Sequence, residues 1–463
     1  MSFKLQTILA YKSLQGIVVY QQNRAITLQQ IISDVIYLDN NLPQHKYLLN
    51  LYENRYYFLL GLLVAIKRNS IHLFPSNIAS YTLDYLEQKY QDILLLNDSK
   101  ADKSHSNKSN FIDIKILLKE KNQKNNKPET AKQLEQFLNS SCIDKGRIII
   151  FTSGSTGEPK PFIKKWSDFI AVARQMVKLI DIQNNPMVLA TVPAQHMYGL
   201  ETSIIMPLVN GLGLYEQRPF YPADIESILS QQTKPSLLIT TPIHLRACLK
   251  TQQKLPFLQT TISATAPLDC KTAKEFETTQ QTSLAEVYGC TEVGIIAMRQ
   301  PAHSQQWLCL ADIKIKQAVN KQYYIQTKRS IQSFILNDYI SDVKDNKFLL
   351  NGRKADIINL AGKRTSLAYL NHHLLSSDLL MDGCFYQPEA SDDPHQRLVI
   401  FIVLDHTQVD SQVTIKELKK YLQNRMDSVF LPRHYYCIKQ LPRNKTGKMM
   451  YKDIKNLYYK LKK

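Results

Sequence analysis

Short runs of aliphatic residues alternate with longer stretches of helical spacing through the first half of the chain. Residues 93–96 and 148–151 are apolar runs of strand length, bounded by polar residues. Residues 55–66 and 81–90 instead have the length and spacing of helices. Strands that alternate with helices are typical of an α/β layered domain with a parallel sheet. The pattern predicts this fold for the N-terminal part of the chain.

The same reading predicts elements along the whole chain. Further predicted helices are 166–180 and 414–425, and a helix-like stretch opens at 26–32. Further predicted strands are 70–74, 111–118, 187–191, 398–404 and 434–438, and residues 237–242 are predicted as a strand that ends in a turn. Residues 307–336 alternate apolar and polar positions, which predicts antiparallel strands. The polar segments within 97–129 that flank strand 111–118 are expected to be exposed loops, and the last hundred residues a compact α+β domain.

Composition narrows the class of protein. A chain of 463 residues is long enough for two or more domains, and 44% hydrophobic residues is typical of a globular protein. Its seven cysteines are dispersed without a CxxC pair, which favours a reducing compartment. No signal peptide is visible in residues 1–10, and the longest apolar run is too short to span a membrane. We therefore expect a cytoplasmic protein.

The net charge of +18 leaves two kinds of partner open. A nucleic-acid-binding protein would have such a charge. However, the lysines are spread along the chain and no known nucleic-acid-binding motif is present, so we do not expect nucleic acid as a partner. The excess charge could instead serve an acidic protein.

A loop of small residues follows the predicted strand 148–151. It consists of Thr152, Ser153, Gly154, Ser155, Thr156 and Gly157, with Lys160 three residues further on. Glycines let a backbone approach a ligand closely, and hydroxyl and N–H groups can surround anionic oxygens. The spacing is not that of a Walker loop. The sequence favours a phosphate-binding loop over a solvent-exposed turn.

Residues 152–160 read TSGSTGEPK and resemble the T-S-G-[ST]-T-G-x-P-K loop of the adenylate-forming, or AMP-binding, enzymes at all nine positions. That family includes acyl-CoA synthetases, aryl-CoA ligases, luciferases and peptide-synthetase adenylation domains. Four more segments follow in family order. They are P-x-x-H-x-x-G at 193–199, S-G-A-x-P-L at 263–268, Y-G-x-T-E at 288–292 and L-P-x-x-x-x-G-K at 441–448. The resemblance spans residues 146–448.

The resemblance implies that most matched residues bind ATP. The small-residue loop and Lys160 would hold the leaving pyrophosphate. The residues implied around the adenosine are Ser263, Ala264, Tyr288, Gly289, Asp338 and Arg353. Asp338 would accept the ribose hydroxyls, and Arg353 follows it by fifteen residues, a spacing like that of relatives. Ala264 and Asn337 stand where relatives have glycine.

The resemblance also implies the residues that act on the reacting groups. His196 would lie beside the acyl pocket, Thr291 would hydrogen-bond the α-phosphate, Glu292 would bind Mg²⁺, and Lys448 would be the catalytic lysine. The residues alone leave other roles open. A lone histidine is more often structural, an aspartate can be a solvated turn residue, and Lys448 lies in a lysine-rich tail.

The resemblance implies two domains. Residues 1–354 would form the AMP-binding domain, with layered α/β subdomains and a small β-barrel. Residues 355–463 would form a small mobile α+β lid that carries Lys448. Ala355 stands at the hinge position, where relatives have Asp or Lys.

The implied activity has two steps. A carboxylic acid reacts with ATP to give an acyl-adenylate and pyrophosphate, and the thiol of CoA or of the phosphopantetheine on an acyl carrier protein then displaces AMP to form a thioester. Relatives that activate amino acids have an aspartate shortly after the histidine segment, which binds the α-ammonium. No aspartate stands between His196 and Asn210, where Glu201 is the only acidic residue, so the resemblance implies a fatty or aromatic acid without an amino group. The segments AQHMYGLE and AGKRTSL resemble ligases of the aryl-polyene type. A CoA-only ligase and a non-catalytic nucleotide-binding relative are the alternatives.

Overall fold

Strands and helices alternate along the first 240 residues, as the hydrophobic pattern predicts. The structure is a computed structural model that describes residues 6, 8–22, 24–75, 80–98, 111–123, 129–139, 147–153, 159–180, 182–318, 322–353, 357–360, 363–389, 397–404, 411–444 and 449–462. It divides into two units. The first consists of Met1–Thr240, Ala247–Ile262 and Gln280–Ile296, and the second of Thr241–Arg246, Ser263–Thr279 and Ala297–Lys463. The predicted domain boundary at 354/355 lies outside the described residues and stays a prediction.

The bounds of the strands and helices are as follows. The strands are β1 (Ile17–Gln21), β2 (Arg24–Thr27), β3 (Tyr47–Asn50), β4 (Ile71–Phe74), β5 (Ile93–Leu96), β6 (Phe111–Ile112), β7 (Arg147–Ser153), β8 (Pro159–Lys165), β9 (Met187–Ala190), β10 (Leu214–Tyr215), β11 (Ser236–Thr240), β12 (Leu258–Ser263), β13 (Ser283–Cys290), β14 (Gly294–Arg299), β15 (Gln306–Cys309), β16 (Ile313–Gln317), β17 (Tyr323–Thr327), β18 (Ser330–Ile335), β19 (Asp338–Lys344), β20 (Lys347–Arg353), β21 (Ile357–Leu360), β22 (Lys363–Ser366), β23 (Asp382–Tyr386), β24 (Val399–Val403) and β25 (His434–Cys437). The helices are α1 (Leu28–Asn41), α2 (Arg55–Arg68), α3 (Ser80–Lys89), α4 (Ile114–Gln123), α5 (Ala131–Asn139), α6 (Trp166–Leu179), α7 (Met197–Gly199), α8 (Met206–Asn210), α9 (Pro222–Ser230), α10 (Pro242–Lys250), α11 (Cys270–Gln280), α12 (Leu367–Leu375), α13 (Ser411–Gln423) and α14 (Tyr451–Lys462). A π-helical turn, Leu200–Ile205, joins α7 to α8.

The first unit contains two largely parallel sheets. One has the strand order β6-β5-β3-β4-β7-β8, in which only β8 is antiparallel to its neighbour. In the other, the strands run β14-β13-β12-β11-β9-β10-β1-β2, and β11, β9, β10 and β1 are parallel. Parallel strands need long crossovers, and helices such as α2 and α3 supply them. The predicted α/β class is confirmed.

The second unit is built mainly from antiparallel strands, although β24 and β25 are parallel, and its helices include α12, α13 and α14 of the C-terminal region. Strands β16, β17 and β18 form a three-stranded sheet in the segment where the small barrel is expected. In the C-terminal region, β24 lies between β23 and β25, and its alternate residues face two cores. Ile400 packs with helices α12 and α13, whereas Phe401 packs with α14 through Tyr458. Because side chains alternate across a strand, β24 can pack with helices on both of its faces. This is the expected α+β arrangement.

The predicted strand at 111–118 is wrong. Strand β6 ends at Ile112, and helix α4 begins at Ile114. The carboxylate of Asp113 accepts a hydrogen bond from the backbone N–H of Lys115 at 3.0 Å, as a helix N-cap does. Ile114 and Leu118 are buried four residues apart, while Ile116 is 53% exposed. Residues 119–123, predicted as loop, belong to this helix, and strand β8 and helix α5 were not predicted.

Within the described ranges, no helix has both the length and the apolar character needed to cross a bilayer.

His72 is an unpaired polar residue in the core of the first unit. It lies on β4 with 0% of its surface exposed, and its ring centroid is 5.9 Å from those of Phe58 and Phe74. Neither ring nitrogen has a hydrogen-bond partner among the described residues. Burial lowers the pKa of His72 to about 3, because the charged form cannot be solvated there. His72 therefore lowers the free energy of unfolding, and it lowers it further at acidic pH.

We predict that His72→Leu stabilises the protein. Removing the unsatisfied nitrogens should raise the free energy of unfolding by about 1–3 kcal/mol at pH 8. The pKa of His72 is lowered in the folded chain, so below pH 6.5, the ordinary pKa of a histidine, the unfolded chain binds more protons than the folded chain. Wild-type stability should fall there by up to about 1.4 kcal/mol per pH unit, and the variant should lack this contribution. Urea unfolding at pH 8 and pH 5.5 measures both effects, and substitution of the exposed His434 by Leu is the control. An equal pH dependence in wild type and variant would contradict the prediction.

Candidate active site

The ends of strands β9 and β11 lie side by side in the first unit. The two strands are parallel, and they end at Ala190 and Thr240. The hydroxyls of Thr191 and Thr240 are 2.9 Å apart and form a hydrogen bond between the two ends. Ligands of open α/β sheets bind at the carboxyl ends of parallel strands. This edge of the sheet is where a site is expected.

His196 belongs to a loop, residues 191–199, that we call the His196 loop. His196 itself is half-buried and is the N-cap residue of α7, and its carbonyl accepts from the N–H of Leu200 at 2.7 Å. Gly199 packs directly on the backbone of the same loop. A Cβ at position 199 would lie 1.9 Å from the carbonyl oxygen of Pro193, so only glycine fits there. The spacing of Pro193 and Gly199 therefore follows from a close backbone contact.

Tyr198 connects the ends of two strands. Its hydroxyl donates to the carbonyl of Ile262 on β12 at 2.9 Å and lies 3.2 Å from that of Thr240 on β11. Burial and the nearby charge of Glu286 hold the pKa of Tyr198 well above its usual range. The phenol therefore remains a hydrogen-bond donor. Tyr198 lies inside the P-x-x-H-x-x-G segment, but no separate role was predicted for it.

The π-helical turn after α7 contacts the Y-G-x-T-E segment. Glu201 in this turn is 3% exposed. Gly294, which follows the segment, has a φ of +89°, and a Cβ there would lie 2.4 Å from Oε1 of Glu201. Glycine is required for both reasons. The structure thus brings the helix after His196 next to the chain that carries Thr291 and Glu292.

Strand β8 reaches the same segment through Lys164. This lysine is 7% exposed, and its ammonium donates to the carbonyl of Glu292 at 3.0 Å. Thr291 and Glu292 are half-buried in the turn that follows β13. Burial and the charge of Glu292 raise the pKa of the Cys290 thiol to about 12, so this cysteine is not an activated nucleophile. The sequence did not single out Lys164, whose contact lies 128 residues away.

The small-residue loop connects β7 to β8. Ser153 pairs with Pro159 and Thr152 with Lys160 across this antiparallel hairpin, so the loop is closed at its base. Gly154, Ser155, Thr156 and Gly157 lie outside the described residues. Tyr288 is half-buried and Gly289 is exposed at the end of β13.

The remaining predicted residues belong to the second unit. Ser263 and Ala264 are 0% and 6% exposed at the end of β12, and Thr265 has a φ of +77°. A β-branched residue rarely adopts this conformation, and such strain clusters at functional sites. Ala264, which stands where relatives have glycine, is not among the residues with positive φ. Its backbone therefore does not need glycine.

Asp338 and Arg353 are brought opposite each other. They are Cα partners at the open end of the β19·β20 hairpin. Asp342 lies inside the same hairpin and has a φ of +50°. Lys448 lies outside the described residues.

Two family models match the chain. The model described as "AMP-binding enzyme" matches residues 74–318, which is more than half of the chain. The chain belongs to the AMP-binding enzyme family. A second model, "AMP-binding enzyme C-terminal domain", matches residues 389–448 of this AMP-binding enzyme.

Known proteins resemble this AMP-binding enzyme along most of its length. A 4-coumarate–CoA ligase of Halorhodospira halophila is 25% identical over 303 residues, covering 64% of this chain and 73% of that protein. A D-alanine–D-alanyl carrier protein ligase of Staphylococcus haemolyticus is 21% identical over 478 residues, covering 95% and 96%. The structure of o-succinylbenzoate CoA synthetase from Bacillus subtilis with its acyl-adenylate intermediate has a TM-score of 0.80 at 16% identity and covers 98% of both chains. The fold and the class of AMP-forming acid–thiol ligase follow.

The donor set of the AMP-binding enzyme fits magnesium bound together with ATP. Among the described residues, no three His, Cys, Asp or Glu side chains form a metal cluster. Mg²⁺ in nucleotide sites is usually held by one or two carboxylates and the substrate phosphates. The half-buried carboxylate of Glu292 can supply one such ligand.

We predict that Lys164→Met slows the AMP-binding enzyme. Without Lys164 the carbonyl of Glu292 loses a donor, which costs about 1–3 kcal/mol for a buried group. The turn that carries Thr291 and Glu292 is then held less firmly, so acid-dependent ATP–pyrophosphate exchange should fall about tenfold, because a displaced orienting group slows a reaction by up to about 100-fold. The neighbouring Lys165 is exposed, so Lys165→Met is the matched control and should stay within about twofold of wild type. Equal rates for the two variants would contradict the role of Lys164.

Proposed function

We propose that this enzyme activates a fatty or aromatic carboxylic acid that lacks an α-amino group and transfers it to the thiol of an acyl carrier protein. The observation that carries the choice of acid is the segment after His196. Between His196 and Asn210 the only acidic residue is Glu201, and its carboxylate packs against Gly294. A substrate ammonium needs a carboxylate partner to be buried. The Halorhodospira relative, named for 4-coumarate, supports an aromatic acid.

The proposed roles follow the chemistry of the first step. A carboxylate oxygen of the acid attacks the α-phosphorus of ATP, and the bond to the β-phosphate oxygen breaks to release pyrophosphate. The loop 152–157 and Lys160 hold the leaving pyrophosphate, while Thr291 donates to the α-phosphate and Lys448 stabilises the charge that builds there. Glu292 would hold Mg²⁺, which when bound neutralises charge on the phosphates.

Other residues orient the two substrates. His196 is proposed to lie beside the carboxylate of the acid, at the carboxyl end of β9. Asp338 and Arg353 would bind the ribose end of ATP, and their direct pairing across one hairpin supports a shared role. The residues proposed around adenine are Ser263, Ala264, Tyr288 and Gly289. In the second step the thiol attacks the acyl carbon and AMP leaves.

An amino acid is the second candidate substrate. The D-alanine ligase of Staphylococcus haemolyticus resembles 95% of this chain, and the carboxylate of Glu201 could then bind the ammonium. A panel of fatty, aromatic and amino acids in ATP–pyrophosphate exchange separates the two candidates. Exchange with amino acids alone would overturn the first proposal, and no exchange with any acid would favour a non-catalytic relative.

We predict that Lys448→Ala lowers exchange with the preferred acid by about 100-fold or more, because a positive charge is lost where the transition state gains negative charge. ATP affinity should change little, since the loop and the ribose contacts remain. Lys452, exposed on α14 four residues later, offers the matched control, and Lys452→Ala should leave exchange unchanged. If the Lys448 variant exchanges as fast as the control, Lys448 is not the catalytic lysine.

The proposed acceptor rests on charge. From Asp356 to Lys463, lysines and arginines outnumber aspartates and glutamates by 17 to 11. An acidic carrier protein would be attracted to such a surface, which speeds encounter and is weakened by salt. The carrier-protein ligase that resembles nearly the whole chain supports this reading. CoA is the alternative acceptor.

We predict that the carrier protein outcompetes CoA. Holo carrier protein and CoA are supplied together with acid and ATP, and the products are weighed by mass spectrometry. The acyl group should be found mainly on the carrier, and its transfer should slow as ionic strength rises while exchange in the first step does not. Acyl-CoA as the dominant product with every candidate carrier would overturn the carrier proposal but not the ligase assignment.

A further inference from the structure

Arg55 is a buried cation at the start of helix α2. Its relative exposure is 1%, and no carboxylate bonds its guanidinium among the described residues. Its neighbours raise the cost of burial. Burial and the like charge of Arg218 lower the pKa of Arg55 to about 9, which still leaves it charged at neutral pH. A cation at a helix N-terminus is also opposed by the helix dipole.

A protein with an apolar side chain at a buried ionic position is often as stable as, or more stable than, the protein with the ion. A buried arginine therefore needs a role other than stability. Within the described part of the chain, the atoms that hold the guanidinium are neutral oxygens. Nη2 donates to the carbonyl of Ala190 at 3.1 Å and to that of Val192. Nη1 donates to the carbonyl of Gln217 at 3.0 Å. A planar fork of donors can reach several carbonyls at once, which an ammonium cannot.

Arg55 contacts the start of the His196 loop directly and the end of the loop through Ser203. Ala190 ends β9 and Val192 is the second residue of the loop. Nε of Arg55 donates at 3.2 Å to the hydroxyl of Ser203, which itself donates to the carbonyl of Gly199 at 2.7 Å. One side chain therefore fixes where the loop leaves the sheet and, through Ser203, holds Gly199 at the end of the loop.

The residues just before Arg55 contact the middle of the same loop. The side-chain amide of Gln195 donates to the carbonyls of Leu51, at 3.3 Å, and Tyr52. His196 is the next residue in the chain. The segment that ends in Arg55 thus contacts the loop at its beginning, next to His196 and at its end.

We propose that Arg55 is a positioning residue for the reaction: it fixes the His196 loop so that His196 meets the acid substrate in one orientation. This inference rests on the proposed function of His196. Small displacements of an orienting group cost about 10- to 100-fold in rate. Loss of Arg55 should therefore act through His196 and on the acid, not on ATP.

A double-mutant cycle tests this in the full-length enzyme. Arg55→Met should lower kcat/KM for the acid in ATP–pyrophosphate exchange about 10- to 100-fold, with the KM for ATP within about twofold. In a His196→Ala background the same change should cost less than about threefold, since the group that Arg55 positions is gone. Equal losses in both backgrounds, or a parallel rise in the KM for ATP, would overturn the proposal.

Arg68 offers a matched control on the same helix. It is the last residue of α2, its side chain is 7% exposed, and it donates to Asp39 at 2.6 Å and to the carbonyl of Pro43 at 2.7 Å. Arg68→Met removes a buried guanidinium without touching the His196 loop. It should lower stability and leave kcat/KM within about twofold. A loss of kcat/KM like that of Arg55→Met would show that damage to α2 alone explains the effect.

Two milder variants serve if Arg55→Met does not fold. Arg55→Lys keeps the charge but not the planar fork, so it should fall between wild type and the Met variant. Ser203→Ala leaves the contacts to Ala190 and Val192 and should lose only about threefold. Full activity in both variants would overturn the proposal.

Amide hydrogen exchange gives a readout that needs no substrate. Arg55→Lys should speed exchange in residues 190–205, whereas Arg68→Met should act near its own partners in residues 39–43. Unchanged exchange in residues 190–205 would overturn the inference. If wild type shows no exchange of pyrophosphate with any acid, the proposed function fails, and the amide data alone then decide whether Arg55 holds the loop.

Discussion

Backbone carbonyls at the ends of buried strands have lost their partners in the sheet, and an unpaired buried carbonyl is costly. In this enzyme long polar side chains provide the missing donors. Arg55 bonds Val192 after β9, and Tyr198 bonds Thr240 at the end of β11. Lys164 does the same for the turn after β13. Because side chains satisfy these groups, no further backbone segment has to lie across the strand ends. The proposed site depends on this arrangement.

The elements that the sequence predicted are those with a strong local signal. Strand β5 is a run of buried aliphatic residues, and helix α2 has no polar residue between Arg55 and Lys67 except tyrosines. The error at 111–118 has a physical origin. The letters FIDIKILL alternate apolar and polar at their start, as a half-buried strand does, and the capping role of Asp113 is visible only with its partners. Strand β8, PKPFIKK, was missed because it begins and ends with polar residues and proline.

The candidate site could be found from motifs, but its supporting residues could not. Gly199 and Gly294 stand inside or just after matched segments, and the structure gives the reason: each lies against another chain segment with no room for a Cβ. Arg55 has no comparable signal. Its acceptors lie 135 to 162 residues away, and no local pattern reports so distant a contact. From the sequence it reads as an ordinary first residue of a helix.

The π-helical turn Leu200–Ile205 has a consequence for how this enzyme tolerates changes in length. Such a turn holds one residue more than an α-helical turn, and each residue of a helix rotates the next by about 100°. Deleting one residue here would restore regular helix geometry. It would also rotate the residues on one side of the deletion around the helix axis relative to those on the other side. Glu201 would no longer face Gly294, while the downstream helix α8 kept its place. The number of residues in this turn is therefore constrained as tightly as the identity of any side chain. Within the family, we expect substitutions in this turn to be more common than insertions or deletions.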